Sequence, residues 1–141
     1  MAAHSDKQGA APTYKQGFGF QPLCCYLDRG DGTGEAFSGI LRPGNAGSNT
    51  AADQVKVLAM ALLALPKPAR SGPILVRADS AGATHAFVDD LHRRGPVFSI
   101  GLPLEADVKA ATGAAPAGAW LPALGPNGHA RPGAWVSSFC G

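Results

Sequence analysis

The chain has 141 residues, 45% of them hydrophobic, and a formal net charge of +2 from 12 basic and 10 acidic side chains. This length suits one domain, and this hydrophobic share excludes a disordered polar tail. The charge is too small to indicate nucleic-acid binding by itself, since clustered basic residues are its usual sign. No apolar run approaches the roughly 18 residues of a membrane span, and the polar N-terminus lacks the pattern of a secretion signal. The sequence therefore predicts neither a membrane protein nor a secreted one.

Glycine and proline are frequent, with 19 and 12 residues, whereas aromatic residues make up 7% of the chain. The predicted core is consequently poor in large side chains. The three cysteines include no C-x-x-C pair, and Cys24 is followed directly by Cys25. We interpret the cysteines as small buried hydrophobes in a reducing compartment.

The first half of the chain predicts a hairpin and a helix. Residues 1–17 contain glycine and proline and are interpreted as an extended N-terminal segment without a strand. Alternating apolar residues over 18–27 and 35–41 predict two antiparallel strands joined by the glycine-rich turn between them. Apolar residues at helical spacing then predict a helix over 51–65, with Thr50-Ala-Ala-Asp53 as a variant of the capping box.

The second half of the chain predicts alternating strands and helices followed by a tail. The apolar run over 74–78 predicts a strand buried on both faces, and a helix over 84–94 follows it. A strand over 97–102 and a short helix over 105–111 come next, whereas residues 112–141 are interpreted as irregular and rich in glycine, proline and alanine. The order β-β-α-β-α-β predicts an α/β fold with a mixed sheet.

Asp79 is the candidate functional residue with the clearest placement. It follows the strand predicted over 74–78 and precedes a turn of small residues and a helix. Open α/β sheets place ligands and catalytic groups at this end of their strands, and a carboxylate there is suited to binding a hard divalent cation. The alternative is that Asp79 or Ser80 only caps the helix that begins near Thr84. The residues alone leave both interpretations open.

The stretch Ala78-Asp-Ser-Ala-Gly82 also approximates the G-x-S-x-G elbow of serine hydrolases. In that hypothesis Ser80 is the nucleophile and His129 the base, and the orienting acid is one of three aspartates, Asp89, Asp90 or Asp107. The first glycine of the pattern is an alanine here, and a hydrolase sheet has more strands than this chain predicts. A small serine hydrolase is therefore the alternative enzyme class.

Three other patterns favour ordinary structural roles. The loop over 44–48 precedes a helix, as phosphate-binding loops do, but it lacks their G-K-[ST] ending, so we interpret it as a turn. The acidic residues over 28–35 do not match the spacing of a calcium loop. His85 and His92 share a helix face without a third ligand, which favours surface histidines.

Five segments together resemble the DDE transposases of bacterial insertion sequences, specifically the thirteen-eighty group. The longest and most specific stretches are L-R-P-G-N-A-G-S-N-T at 41–50 and R-A-D-S-A-G at 77–82. The five segments extend over residues 4–15, 17–23, 41–53, 76–85 and 98–103. The resemblance covers nearly the whole length from His4 to about Pro103 and is weaker beyond.

The resemblance implies a ribonuclease-H-like catalytic domain, here over 18–111, with a mixed five-stranded sheet and helices on its faces. It implies DNA cleavage and strand transfer by three carboxylates that hold two Mg²⁺ or Mn²⁺ ions. The second of these acids matches Asp79, which makes Asp79 the expected catalytic residue and metal ligand. The implied partner is DNA, at the terminal inverted repeats of an insertion sequence. The implied location is the bacterial cytoplasm, in association with DNA.

The first strand of that sheet and two of the three family acids have no counterpart that we recognise in this sequence. The family's first catalytic aspartate lies just upstream of the segment that begins at His4, and Asp6 comes too late to replace it. Glu105 is the only glutamate after Asp79 and comes too early to be the third acid. We therefore expect a fragment of the catalytic domain, without its first strand and C-terminal part, that is inactive alone and binds metal weakly. An exposed sheet edge would favour self-association.

Four basic residues are candidates for contacts to DNA phosphates, on their charge and their proximity to the motifs: Lys7, Lys15, Arg42 and Arg77. Arg77 has a second interpretation, as a half-buried strand residue that pairs with a carboxylate. A non-catalytic remnant that only associates with other chains is the third hypothesis of function, beside the transposase and the hydrolase.

Overall fold

The computed structural model describes residues 3–48 and 50–137, whose secondary structure is mixed α/β. The chain divides between Leu102 and Pro103 into two compact units. None of the helices in the described residues is long and apolar enough to cross a membrane. The α/β class predicted from the sequence is confirmed.

An antiparallel hairpin of β3 (Phe18–Asp28) and β4 (Gly34–Pro43) forms most of the larger sheet. Its turn is set by local hydrogen bonds, because the Gly30 N–H donates to Asp28 and the Thr33 N–H donates to Asp31, both at 2.8 Å. The hydrogen bonds from Thr33 lower the pKa of the Asp31 carboxyl. Aspartates that hold their own backbone in this way are typical of turns, and the predicted hairpin is confirmed.

Two strands of two residues each, β1 (Ala3–His4) and β2 (Ala11–Pro12), pair with the start of β3. The sequence predicted no strand before Phe18, and the structure corrects this. Both short strands meet β3 at Gly19, where a Cβ would lie 2.0 Å from the Ala3 carbonyl oxygen, so no side chain fits. Strands this short show no alternation of apolar residues, and the sequence pattern could not reveal them.

Helix α1 (Ala51–Ala64) follows the hairpin, and a short helix α2 (Lys67–Arg70) follows α1. The Arg70 guanidinium donates hydrogen bonds to the carbonyl oxygens of Leu63 and Leu65 at 2.5 and 2.8 Å. These carbonyls lie at the end of α1, where backbone acceptors have no partner inside the helix. Arg70 therefore completes the C-terminus of α1.

The predicted capping box at the start of α1 does not form. The Thr50 hydroxyl donates to the Gly47 carbonyl oxygen at 3.0 Å and makes no capping bond to the helix. The Asp53 carboxylate pairs instead with Arg42 of β4, at 3.4 Å. The Asp53 carboxylate, which the sequence assigned to the cap of α1, therefore forms an ion pair with a strand residue instead.

Strand β5 (Leu75–Ala78), helix α3 (His85–Arg94) and strand β6 (Val97–Ile100) follow in the predicted order. The two strands are parallel. Leu58 of α1 packs with Phe87 and Leu91 of α3, and half-buried side chains of both strands cover this cluster.

The structure corrects two predictions about these strands. Strand β5 is not buried on both faces, since Leu75 is 58% exposed. The described strands also form separate sheets rather than one mixed sheet: β1 to β4 are joined in one sheet, and β5 pairs only with β6. Strands β3 and β5 belong to different sheets, so no backbone hydrogen bonds of a sheet join them among the described strands.

The second compact unit contains helix α4 (Ala106–Ala114) and an antiparallel hairpin of β7 (Leu121–Leu124) and β8 (Ala130–Val136). The sequence predicted an irregular tail from residue 112 onward, which the structure replaces by this hairpin. A tight turn joins the strands, with Gly128 at a φ of 77°. Prolines and glycines within the strands interrupt the alternation on which strand prediction depends.

Helix α3 carries a buried charge that the sequence analysis did not identify. Thr84 accepts a hydrogen bond from the Phe87 N–H at the N-terminus, and Gly95 ends the helix in the left-handed conformation. Asp90 is 2% exposed, and its carboxylate pairs with the Arg94 Nε at 2.6 Å and with Arg93. Arg93 and Arg94 therefore stabilise a buried carboxylate in addition to lying at the negative end of the helix.

We expect Arg94→Ala to lower the free energy of unfolding by about 1–3 kcal/mol, because it removes one partner of a buried charge. Arg93→Ala is the matched control. The Arg93 side chain is 71% exposed. Its loss should cost less than about 1 kcal/mol. Urea denaturation of both variants and the parent measures the difference, and equal losses would contradict this account of Asp90.

Candidate functional site

Asp79 lies directly after β5, at the carboxyl end of the strand, as the sequence predicted. Its side chain is exposed, and its Oδ1 accepts a hydrogen bond from the Ala81 N–H at 3.1 Å. This bond caps a 3₁₀ turn over Ser80–Gly82. Thr84 caps α3, so neither Asp79 nor Ser80 has the helix-capping role considered above. The second oxygen of Asp79, Oδ2, has no hydrogen-bond partner in the described residues.

Close backbone packing determines where Asp79 projects. A Cβ on Gly82 would lie 2.7 Å from the Ala78 Cβ, so the turn folds back against the strand only with glycine there. A Cβ on Gly101 would lie 3.3 Å from the Ser80 nitrogen. The Gly101 N–H also donates to the Ala78 carbonyl oxygen at 3.0 Å. Gly82 of the R-A-D-S-A-G stretch is therefore explained by the geometry of this turn.

A groove of about 430 Å³ opens beside Asp79, and we call it the central groove. It is lined by residues 23–26 of β3, by residues 76–78 of β5 and the Asp79 that follows them, and by residues of α1, the 3₁₀ turn and Phe87 of α3. Asp79 is the single acidic residue among the lining residues. The groove is otherwise mostly apolar, which suits a binding site with few polar groups.

The cysteines on β3 differ from their predicted burial. Cys24 is exposed and Cys25 is half-buried, so only Cys25 approaches the predicted environment. Burial raises the pKa of the Cys25 thiol, which makes it a poor nucleophile at neutral pH. Cys140 lies outside the described residues.

Gln54 of α1 is a residue of the central groove that the sequence analysis missed. It is 7% exposed, and its Nε2 donates to the Ala81 carbonyl oxygen at 2.6 Å. Its Oε1 is buried without a hydrogen-bond partner. The one sequence signal for this position is that Gln54, a polar residue, stands four residues before Leu58 and therefore near the apolar side of the predicted helix. The sequence analysis followed only the apolar residues of this helix and assigned no role to Gln54.

The four basic candidates occupy two kinds of environment. Lys7, Lys15 and Arg77 are exposed, and Arg77 lines the central groove without a carboxylate partner in the described residues. Arg42 is 5% exposed. Its guanidinium donates to the Gln21 and Gly47 carbonyl oxygens at 3.2 and 3.0 Å and pairs with a carboxylate of α1. These contacts argue against a phosphate-binding role for Arg42 and make it a link between β3, β4 and α1.

No catalytic triad forms around Ser80 among the described residues of the N-terminal unit. The Ser80 hydroxyl has no hydrogen bond to a histidine there, and the Asp90 carboxylate is buried with two arginines. His129 belongs to the other compact unit. The serine hydrolase hypothesis therefore receives no support from the geometry.

The weaker patterns take the structural roles that the sequence favoured. A Cβ on Gly44 would lie 2.3 Å from the Ala11 carbonyl oxygen, so close packing against β2 requires a glycine at this position. Glu35 pairs with Arg29 at 2.9 Å on the hairpin surface. The His92 ring packs edge-on against Phe98, with centroids 4.9 Å apart.

The donor set at Asp79 fits a divalent metal only in part. An exposed carboxylate with a free oxygen is a suitable ligand for Mg²⁺ or Mn²⁺. Within residues 3–48 and 50–137, however, no three His, Cys, Asp or Glu side chains are grouped as a metal site requires. One carboxylate does not hold two ions in register, so the described residues by themselves do not form a two-metal site.

We expect Gly82→Ala to lower the free energy of unfolding by about 1–3 kcal/mol, because the added methyl group collides with Ala78 beneath the Asp79 turn. Gly113→Ala in α4 is the control, since a Cβ there meets nothing within 4 Å. It should be neutral or stabilise by up to about 1 kcal/mol. Thermal denaturation followed by circular dichroism measures both, and an undiminished midpoint for Gly82→Ala would contradict the packing argument.

Comparison with known proteins shows the family of this chain. Residues 1–126 match the model of the family described as transposase DDE domain, group 1. No curated protein and no solved structure matches the chain significantly. The matched region covers most of the sequence and includes the β3–β4 hairpin, helices α1 and α3, and Asp79. The chain therefore belongs to the DDE transposase domain family.

Proposed function

We propose that this chain is part of the catalytic domain of a DDE transposase of a bacterial insertion sequence, in the thirteen-eighty group. Family membership supports transposition as the process. The stretches at 41–50 and 77–82 support the narrower group. The order of β3, β4, α1, β5, α3 and β6 supports a ribonuclease-H-like arrangement. In this proposal the complete enzyme cuts and joins DNA at the terminal inverted repeats of the element.

The position of Asp79 is the observation that carries the proposal. Its carboxylate lies exposed at the carboxyl end of β5 and borders a groove, and one of its oxygens is free of the described hydrogen bonds. We assign Asp79 as a catalytic carboxylate and a ligand of Mg²⁺ or Mn²⁺ in the complete enzyme. The metal would supply Lewis-acid activation at a DNA phosphate. Asp79 itself would hold negative charge at a position that the backbone of the turn defines.

Lys7, Lys15 and Arg77 are the proposed contacts to DNA phosphates, because their charged groups are exposed. Arg77 is the strongest of the three, since it lies on β5 two residues before Asp79. Arg42 is left out because its guanidinium is internally paired. A net charge of +2 provides little non-specific attraction to DNA, so such contacts would position DNA more than they attract it.

In a full-length transposase that contains this segment, we expect Asp79→Asn to reduce DNA cleavage at least about a hundredfold, since an amide cannot replace the charge of a metal ligand. Asp89→Asn is the matched control, because Asp89 is an exposed acid on α3. It should leave cleavage within about twofold of the parent. An excision assay measures both, and near-normal excision by Asp79→Asn would refute the assignment.

We expect the 141-residue chain alone to show no Mg²⁺- or Mn²⁺-dependent DNA cleavage. The reason is that the described residues bring one carboxylate, rather than a converging set, to the groove. The assay is nicking of supercoiled plasmid by the purified chain beside its Asp79→Ala variant. Metal-dependent nicking by the parent and not by the variant would overturn this expectation.

A further inference from the structure

A tight turn between β2 and β3 projects two side chains at its tip. The Gln16 N–H donates to the Thr13 carbonyl oxygen at 3.0 Å, which defines a β-turn. Tyr14 and Lys15 are its two central residues, and both are exposed. The Thr13 N–H donates to the Gly17 carbonyl oxygen at 2.8 Å, and the Gly17 N–H donates to the Thr13 hydroxyl oxygen at 3.2 Å. The base of the turn is therefore anchored in the fold while its tip faces solvent.

The turn also contains the one non-glycine residue with a positive φ among the described residues. Gln16 has a φ of 59°, in the left-handed region that disfavours most side chains. A residue with this conformation often follows the β-turn of a short hairpin loop, but it is usually a glycine. Strained residues of this kind concentrate at functional sites. The conformation of Gln16 is therefore consistent with a turn that does more than reverse the chain.

Tyr14 offers a flat aromatic surface to solvent. The residue is 69% exposed, so its ring does not have the common role of packing in the core. The Lys15 Nζ lies 5.7 Å from the centroid of the Tyr14 ring, so a positive charge accompanies the ring. Proteins bind single-stranded nucleic acid with this pair of groups, because a base stacks on the ring while the cation meets a phosphate.

A pocket of about 590 Å³ lies beside the turn, and we call it the turn pocket. Its lining includes Thr13 and Tyr14 of the turn, Gln21 of β3 and residues of the loop over 44–48. The volume lies within the range of small-ligand sites. None of the lining residues is acidic, so the turn pocket can accept a negatively charged ligand without repulsion from its lining.

Two amide side chains of the turn pocket are available to a ligand. Neither the Gln21 nor the Asn45 side chain makes a hydrogen bond to a described residue. An amide presents a donor and an acceptor side by side, which matches the edge of a nucleobase and of adenine in particular. Asn45 belongs to the L-R-P-G-N-A-G-S-N-T stretch, in which internal pairing explains Arg42 and close packing explains Gly44. The described contacts give Asn45 no comparable role in the fold.

We propose that the turn pocket binds one nucleotide of a DNA strand whose base is unpaired. The base stacks on the Tyr14 ring, and the phosphate beside it meets Lys15. The amides of Gln21 and Asn45 meet the edge of the base. A base inside a duplex has both faces covered by its neighbours, so Tyr14 can stack only on a base that is unpaired or extruded. The choice of DNA rests on the proposed function, whereas the unpaired base follows from the turn pocket itself.

The test is fluorescence anisotropy of a labelled strand of about twenty deoxyadenylates as the full chain is added, with EDTA present so that no metal at Asp79 contributes. We expect this strand to bind at least about tenfold more tightly than a duplex of the same length. A strand of the same length whose sugars carry no bases should also bind at least about tenfold more weakly. Free dAMP is the competitor that distinguishes a nucleotide of DNA from a free nucleotide, and it should compete at least about tenfold less well than the unlabelled strand.

Substitutions at the tip of the turn separate stacking from charge. Tyr14→Ala should weaken binding of the strand at least about fivefold, whereas Tyr14→Phe keeps the ring and should stay within about twofold. Lys15→Gln should reduce the slope of log affinity against log salt by about 0.7, as the loss of one phosphate contact to a single strand does. Tyr14→Ala should leave that slope unchanged, because stacking releases no counterions.

Trp135→Ala is the matched control for an exposed ring. Trp135 is 60% exposed and does not line the turn pocket. If the turn pocket holds the base, this variant should bind the strand within about twofold of the parent.

Several outcomes would overturn the proposal. They are no binding at about 100 μM chain, equal affinity for the strands with and without bases, and equal weakening by Tyr14→Ala and Trp135→Ala. Equal competition by dAMP and the unlabelled strand would replace DNA by a free nucleotide as the ligand. If circular dichroism shows that Tyr14→Ala is unfolded, the strand without bases and the salt slope of Lys15→Gln decide the question. None of these outcomes affects the excision assay of Asp79→Asn, so this inference and the proposed function fail separately.

Discussion

Helix α1 is the element on which the N-terminal unit depends, because the hairpin and the β5–β6 pair share no backbone hydrogen bonds in the described residues. On one side the Ser38 hydroxyl of β4 donates to the Val57 carbonyl oxygen of α1 at 2.8 Å. On the other side Leu58 packs against Phe87, and Gln54 reaches the turn after β5. Side-chain packing and a few polar contacts, rather than a continuous backbone ladder, hold the two sheets in place.

The buried apolar core of the described residues is small. The buried apolar side chains of the described residues are Val57, Leu58, Ala61, Phe87 and Leu91. A core of this size provides a narrow margin over conformational entropy, and loss of one well-packed group is then a large share of the total stability. Glycines contribute to the packing of this unit, because they allow backbone segments to approach more closely than side chains would permit.

Close approach of backbones at glycines also explains how Asp79 is held at its position. Its position comes from the end of β5 and from two glycines that bring the following turn and the end of β6 against the strand. No basic side chain neutralises it in the described residues, so its charge is available to a ligand. Arg42 shows the opposite case, because its charge is used entirely within the fold. A basic residue close to a family motif is therefore as suited to building the motif as to binding a substrate.

Local signals in the sequence determined the hairpin, helices α1 and α3, the placement of Asp79 at a strand end, and the family. Turn residues, helical spacing and a long motif act over short stretches of chain, so they can be recognised without a structure. The tertiary structure alone decided that Gln54 is buried, that Asp53 pairs with Arg42, and that β1 and β2 add to the sheet. It also decided that β3 and β5 border an open groove instead of joining one sheet. Burial and strand pairing depend on residues distant in sequence, and local patterns carry no information about which distant partners meet.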